Sequence, residues 1–195
     1  MFLRIWRGAE KSLMSPRLES WQLRDRGLRE LTGRFTDAGL LSMQGQKLKF
    51  PDEKARFYVN GGWLEEHVFG VLFNLRADLR TVQDVAHSVD LVRQTARGEV
   101  PNEIDVACLA DNRLYLIECK TRQWKGKAEG MAGAQALYRL DTLADLLGGL
   151  QARAMLVSYW DLPSYDRQRA ADLGIAVCAG GALRDLPARL TDWIL

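Results

Sequence analysis

The chain is poor in the residues that build the commoner metal and covalent centres. Its two histidines, His67 and His87, lack the spacing of a zinc site and fall to solvent or core roles. Three cysteines, Cys108, Cys119 and Cys178, are odd in number and far apart. That disfavours a disulfide framework and a CxxC zinc site, and predicts free, buried thiols. No apolar run approaches the ~20 residues of a membrane helix, so no membrane partner is expected. The start, Met1 to Arg7, is apolar and basic without the apolar stretch and cleavage site of a signal peptide, which predicts a cytoplasmic chain. No glycine-rich phosphate loop is present, and Ser158 and Ser164 stand outside any nucleophile elbow. What remains is 195 residues, 47% hydrophobic and 27% charged, enough for a real core and too apolar for wholesale disorder.

Charge divides the chain. Residues 1–60 hold 12 Lys/Arg against 7 Asp/Glu, while residues 61–195 hold 15 against 18. A basic front on an acidic body fits a polyanion partner, although a solvated basic helix face explains it as well. Residues 18–34 place Leu18, Trp21, Leu28 and Leu31 at helical spacing, and residues 40–50 read as two short strands around Gly45. Together they predict a helix followed by a small wing over residues 1–58. The second domain, 59–195, starts with Asn60 as N-cap of a helix at 62–77 whose buried stripe is Leu64, Val68, Val71, Leu72 and Leu75. A strand at 81–92, a loop through Gly98 and Pro101, and strands around 103–110 and 113–120 follow. A helix at 128–147 then presents Leu137, Leu140, Ala144 and Leu147 on one face. Strand, helix, strand and helix complete the order, which implies an α/β fold with a mixed sheet and helices on both faces.

Asp111-Asn112 carries the two residue types that tolerate the positive φ of a tight hairpin turn. With these two at the turn, Leu109 faces Leu114, Ala107 faces Leu116, Asp105 faces Glu118 and Glu103 faces Lys120. Opposed residues share a face with Cβ atoms about 5 Å apart. Ile104, Val106, Cys108, Tyr115, Ile117 and Cys119 line the other face. Like charges directly opposed are destabilising, so Asp105 and Glu118 require a compensating cation. Hard oxygen ligands suit Mg²⁺ or Mn²⁺, and Lys120 on the same face can orient or deprotonate a water and steady charge on a phosphate. The same acids also read as an ordinary cluster in which Lys120 pairs with Glu103 or Glu118. On the 62–77 helix, Glu65 falls at the edge of the apolar stripe, whereas Glu66 turns toward solvent.

Four strings carry a resemblance: Asn60-Gly61-Gly62-Trp63-Leu64-Glu65, Asn102-Glu103-Ile104-Asp105, Leu116-Ile117-Glu118-Cys119-Lys120-Thr121 and Leu147-Gly148-Gly149-Leu150. In this order they resemble the PD-(D/E)XK, restriction-endonuclease-like nucleases, and more narrowly the C-terminal nuclease domain of CRISPR-associated nucleases activated by ring nucleotides through a CARF sensor domain. The resemblance implies a restriction-endonuclease-like mixed sheet flanked by helices, with a small winged-helix-like segment in front. It implies Asp105, Glu118 and the Cys119 carbonyl as ligands of Mg²⁺ or Mn²⁺, Lys120 as the water-activating residue and Glu65 as an accessory acid. A metal-dependent nuclease acting on DNA or RNA in prokaryotic defence is the expectation. The first 15 residues are too few to form a sensor domain, so the expectation is a fragment of a longer protein, a truncated homologue, or a stand-alone nuclease controlled by a separate sensor subunit.

Lys120, Arg122, Lys125 and Lys127 gather cations after the third strand, where a phosphate backbone would pass, with Trp124 among them as a stacking ring. A solvated loop explains that cluster equally well. Gln135 and Tyr138 share a side of the following helix; Gln135 is assigned to substrate and Tyr138 to core packing. The acidic body offers little basic surface, which argues for a homodimer around one channel. The rival reading is a catalytically silent nucleic-acid-binding regulatory module with the same fold.

Overall fold

The structure is a computed structural model that describes residues 13–124 and 127–195, with side chains from 133 onward in the second stretch. It forms two compact units, Met1–Trp63 and Leu64–Leu195.

In the first unit, α1 (Ser20–Arg24) and α2 (Arg26–Asp37) precede a hairpin of β1 (Ser42–Gln44) and β2 (Lys47–Lys49), then α3 (Glu53–Phe57). The single helix read over 18–34 is two. Asp25 takes an extended conformation (φ −62°, ψ 121°), and its side chain accepts the Leu28 N–H at 2.7 Å. An aspartate with helical residues on both sides thus caps the second helix at the expense of the first. Leu18, Leu28, Leu41, Leu48, Phe50 and Val59 form the core of this unit. Trp21, expected in the stripe, is exposed, its indole N–H donating to Glu19 Oε2.

Asn60 does not act as an N-cap. After α3 the chain continues through a π-type turn at Tyr58–Gly62 into α4 (Trp63–Asp78), and Gly61 alone leaves helical geometry there, at φ 130°. A cap residue must be extended. Asn60 is instead wound into the turn, and its Oδ1 is buried without a hydrogen-bond partner.

The second unit is built on a five-stranded sheet in the order β3 (Val82–Thr95), β4 (Gly98–Ala110), β5 (Arg113–Lys120), β6 (Ala152–Ser158) and β7 (Ala176–Ala179). The first three strands are antiparallel and the last three parallel. Helix α5 (Lys127–Gly148) crosses from β5 to β6, α6 (Ser164–Asp172) crosses from β6 to β7, and α7 (Leu186–Ile194) ends the chain. On one face Leu137, Leu140 and Leu143 of α5 pack with Leu116, Ala154 and Leu156. On the other, Tyr115 donates its hydroxyl to Ile194 O at 3.0 Å and meets Trp193 edge-on. The fold is the mixed, helix-flanked sheet that the residue pattern implies. Cys108, Cys119 and Cys178 are free and buried.

Three local expectations fail for physical reasons. The loop read through Gly98 and Pro101 is strand: β3 and β4 run on to a Thr95–Gly98 pair, with Thr95 Oγ1 donating to Gly98 O and Gln94 to Glu99. Pro101 is tolerated because β4 there has a partner on one side only. On α5 the buried stripe is Ala136, Leu137, Leu140 and Leu143, with Leu147 exposed. On α4 it narrows to Leu64, Val68 and Leu72.

Candidate active site

Asp111 and Asn112 have φ of 49° and 57°, and they close the β4–β5 hairpin. The register runs from Ala110–Arg113 through Leu109–Leu114 and Ala107–Leu116 to Val106–Ile117. The next residues on either strand are Asp105 and Glu118, 7% and 2% exposed. Here the ladder opens. Asp105 Oδ2 accepts the Cys119 N–H at 2.7 Å, so a carboxylate takes the place of a strand carbonyl. β5 then continues beside β6 while β4 continues beside β3. Ser88, across from Asp105 on β3, adopts a positive φ of 49° and joins no pair. Strict alternation fails with it: Ile104, assigned to the Val106 face, belongs instead to the cluster that holds Leu116 and α5.

Glu118 is enclosed by cations. Lys120 Nζ donates to its Oε1, and Arg139 Nη2 reaches both oxygens at 2.7 Å. Burial alone would lower the Lys120 pKa, but Glu118 and Asp105 outweigh it and the net shift is upward, so Lys120 stays charged. Asp105 moves the other way from a normal carboxylate. Burial and the Glu118 charge raise it to about 6 against the relief of Lys120 and the Cys119 N–H. Glu65, on α4, is raised to about 8 by burial and by Asp105 and Glu103. Its Oε2 is buried with no hydrogen-bond partner. Glu66, expected to turn toward solvent, is half-buried like Glu65.

Three carboxylates and a lysine from α4, β4 and β5 therefore share one electrostatic site, with Arg139 from α5 as a member the residue pattern missed. At 100° per residue, the stripe read through Leu147 puts Arg139 about 120° from its centre, on the solvent side. The true stripe through Leu143 brings Arg139 to its flank, and a long guanidinium stem covers the rest. Of the residues assigned to nucleic acid, three have described side chains. Arg122 and Gln135 are exposed. Trp124 is anchored, its indole N–H on Ser158 Oγ at 2.8 Å and its ring so close to Gly133 that a Cβ there would sit 2.6 Å away. Lys125 lies outside the described residues, as does the side chain of Lys127. Tyr138, assigned to the core, is 52% exposed, with the Arg169 guanidinium 5.7 Å from its ring centre.

The donor set fits a hard divalent cation. The raised pKa values of Asp105 and Glu65 and the orphaned Glu65 oxygen are what a cation would relieve. Among the described residues no three His, Cys, Asp or Glu side chains converge on one point. Mg²⁺ is bound elsewhere through one or two carboxylates plus water, so a set this sparse is compatible with it.

A mixed sheet whose opened central hairpin carries an aspartate, a glutamate and a lysine two residues on, with a further acid on the preceding helix, defines the PD-(D/E)XK nuclease fold. The chain belongs to the Card1-like endonuclease domain family, whose profile matches residues 52–195. Among solved structures it is similar to protein VC1899 from Vibrio cholerae, at 37% identity and TM-score 0.87 over 99% of this chain and 50% of that one. It shares its fold with Can2 from Sulfobacillus thermosulfidooxidans, solved in complex with cyclic tetra-adenylate, at 23% identity and TM-score 0.75 over 99% and 51%. The chain spans about half the length of both. No curated protein matches it.

Proposed function

We propose that this domain is a divalent-metal-dependent endonuclease that hydrolyses phosphodiester bonds in DNA or RNA, serving CRISPR-linked or other prokaryotic defence. The observation that carries the reading is the opened hairpin: Asp105 held by the Cys119 N–H beside buried Glu118, with Lys120 two residues on. Asp105, Glu118 and the Cys119 carbonyl would hold Mg²⁺ or Mn²⁺. Such an ion supplies Lewis acidity toward the phosphate and a more acidic water. The Lys120 ammonium donates a hydrogen bond to the attacking water or a phosphate oxygen, and Arg139 adds positive charge beside it. Glu65, protonated or not with pH, sits where it can accept from a water in the same site. Family membership supports the reaction class.

One observation favours a second reading, a nucleic-acid-binding module without turnover. Both Glu118 oxygens are already satisfied by Lys120 and Arg139, so the cluster is neutralised without metal. Incubation with single- and double-stranded DNA and RNA in Mg²⁺, Mn²⁺ and EDTA separates the two. Cleavage that needs the metal supports the nuclease, and salt-dependent binding with no cleavage in any arm supports the silent module.

A further inference from the structure

From Ile104 back to Gly98, β4 pairs with β3 alone, and the side that β5 has left is flanked by α5. A cleft of about 230 Å³ opens there between Arg93 and Val100 of the hairpin and Tyr138, Arg139, Leu143 and Leu146 of α5. Its floor is apolar, and among the described residues its charged lining is Arg93 and Arg139, both cationic. Pockets for whole drug-sized ligands run from about 300 Å³ upward, so this cleft suits a smaller, flat group. The Tyr138 ring, 52% exposed and steadied by the Arg169 guanidinium, offers such a group an aromatic neighbour. Asn102 lines the cleft too; its Nδ2 donates to Val100 O, which leaves Oδ1 as the acceptor it offers a base edge. Arg139 ties the cleft to the acid cluster, because the same guanidinium lies 2.7 Å from Glu118.

We propose that this cleft receives one unstacked nucleobase of the substrate strand, next to the phosphate that meets Asp105 and Glu118. The inference rests on the nuclease reading for its ligand and adds the place where a base is held. Flat aromatic ligand, apolar floor, tyrosine ring and cationic rim agree in shape and in charge. Arg139 then has two roles in sequence, on Glu118 when the cleft is empty and toward the strand's phosphate when a base is seated.

The test is equilibrium binding by fluorescence anisotropy in EDTA, so that no cleavage intervenes. The probes are a labelled single-stranded oligonucleotide and a strand of the same length and charge made of abasic residues. The wild-type protein is expected to bind the base-carrying strand about tenfold more tightly. Tyr138→Ala, which removes the ring, and Leu146→Trp, which fills the cleft, are expected to bind both strands equally. Both positions are exposed, so thermal melts of the variants should match the wild type. Equal binding of the two strands by the wild type, or a base preference retained in both variants, overturns the proposal. A protein that cleaves yet ignores bases keeps the nuclease reading and loses the cleft; one that prefers bases yet never cleaves does the reverse.

Discussion

Arg139 Nη2 lies 2.7 Å from both carboxylate oxygens of Glu118, joining the middle of α5 to the end of β5. Arg139 is 43% exposed on its side chain and Glu118 only 3%, so the pair stands at the mouth of the site, with its acid inside and its base at the rim. Arg139→Ala leaves Lys120 as the remaining partner of Glu118. The expected cost is about 1 kcal/mol, well short of a fully buried pair, since solvent already screens the arginine. In a domain of this size that lowers Tm by about 2–4 °C, readable in a thermal melt without metal. An unchanged Tm would show that Lys120 alone satisfies Glu118.

The two acids of the hairpin should respond oppositely to neutralisation. Asp105→Asn removes the repulsion with Glu118 and keeps an oxygen for the Cys119 N–H, so metal-free stability at pH 7–8 should hold or rise. Glu118→Gln leaves Lys120 and Arg139 without their shared anion, and stability should fall. From the residues alone, relief of repulsion is expected at both positions; the paired geometry reverses that for Glu118. Equal shifts of Tm in the two variants would contradict the asymmetry.

Glu65 gives a pH signature. Its pKa rises from 4.5 unfolded to about 8 folded, so between those values the folded state holds a proton that the unfolded state lacks. Metal-free stability then falls as pH climbs through that window, by an amount on the order of a few kcal/mol. Asp105 adds a smaller fall of the same sign between 3.8 and about 6. Glu65→Gln should flatten the slope between pH 6 and 8.5 in a series of melts. A wild-type Tm that does not decline over that range would contradict it.

The central hairpin was legible because its turn is local: two adjacent residues that accept positive φ set the register, and register sets which residues oppose one another. The alternating apolar residues of β5 and β6 likewise announce their strands. What was not legible depends on competition between local choices or on distance. Asp25 had equal claim to lie inside a helix or to cap one. The 93–103 stretch looked like a loop, since Gly98 and Pro101 fit a strand only where one edge is unpaired. Arg139 and the exposure of Tyr138 depended on a rotation of α5 set by Leu143 against the sheet, which no window of sequence reveals.

Assembly is a separate expectation. A body of acidic balance is served by a two-fold pair that brings two basic segments to one strand. Light scattering at micromolar concentration should give twice the 22.0 kDa chain mass. A particle of 22.0 kDa with full cleavage activity at that concentration removes the need for a partner copy.

On the proposed reading, Asp105 and Glu118 form a metal-dependent phosphodiesterase centre. Its most direct test is the release of fluorescence from quenched DNA and RNA oligonucleotides in Mn²⁺, with the wild type and Asp105→Asn side by side and EDTA as control. The wild type should release fluorescence in Mn²⁺ and none in EDTA, and Asp105→Asn should lose at least about a hundredfold with a Tm no lower than that of the wild type. Release that persists in EDTA, or that Asp105→Asn matches, would contradict it.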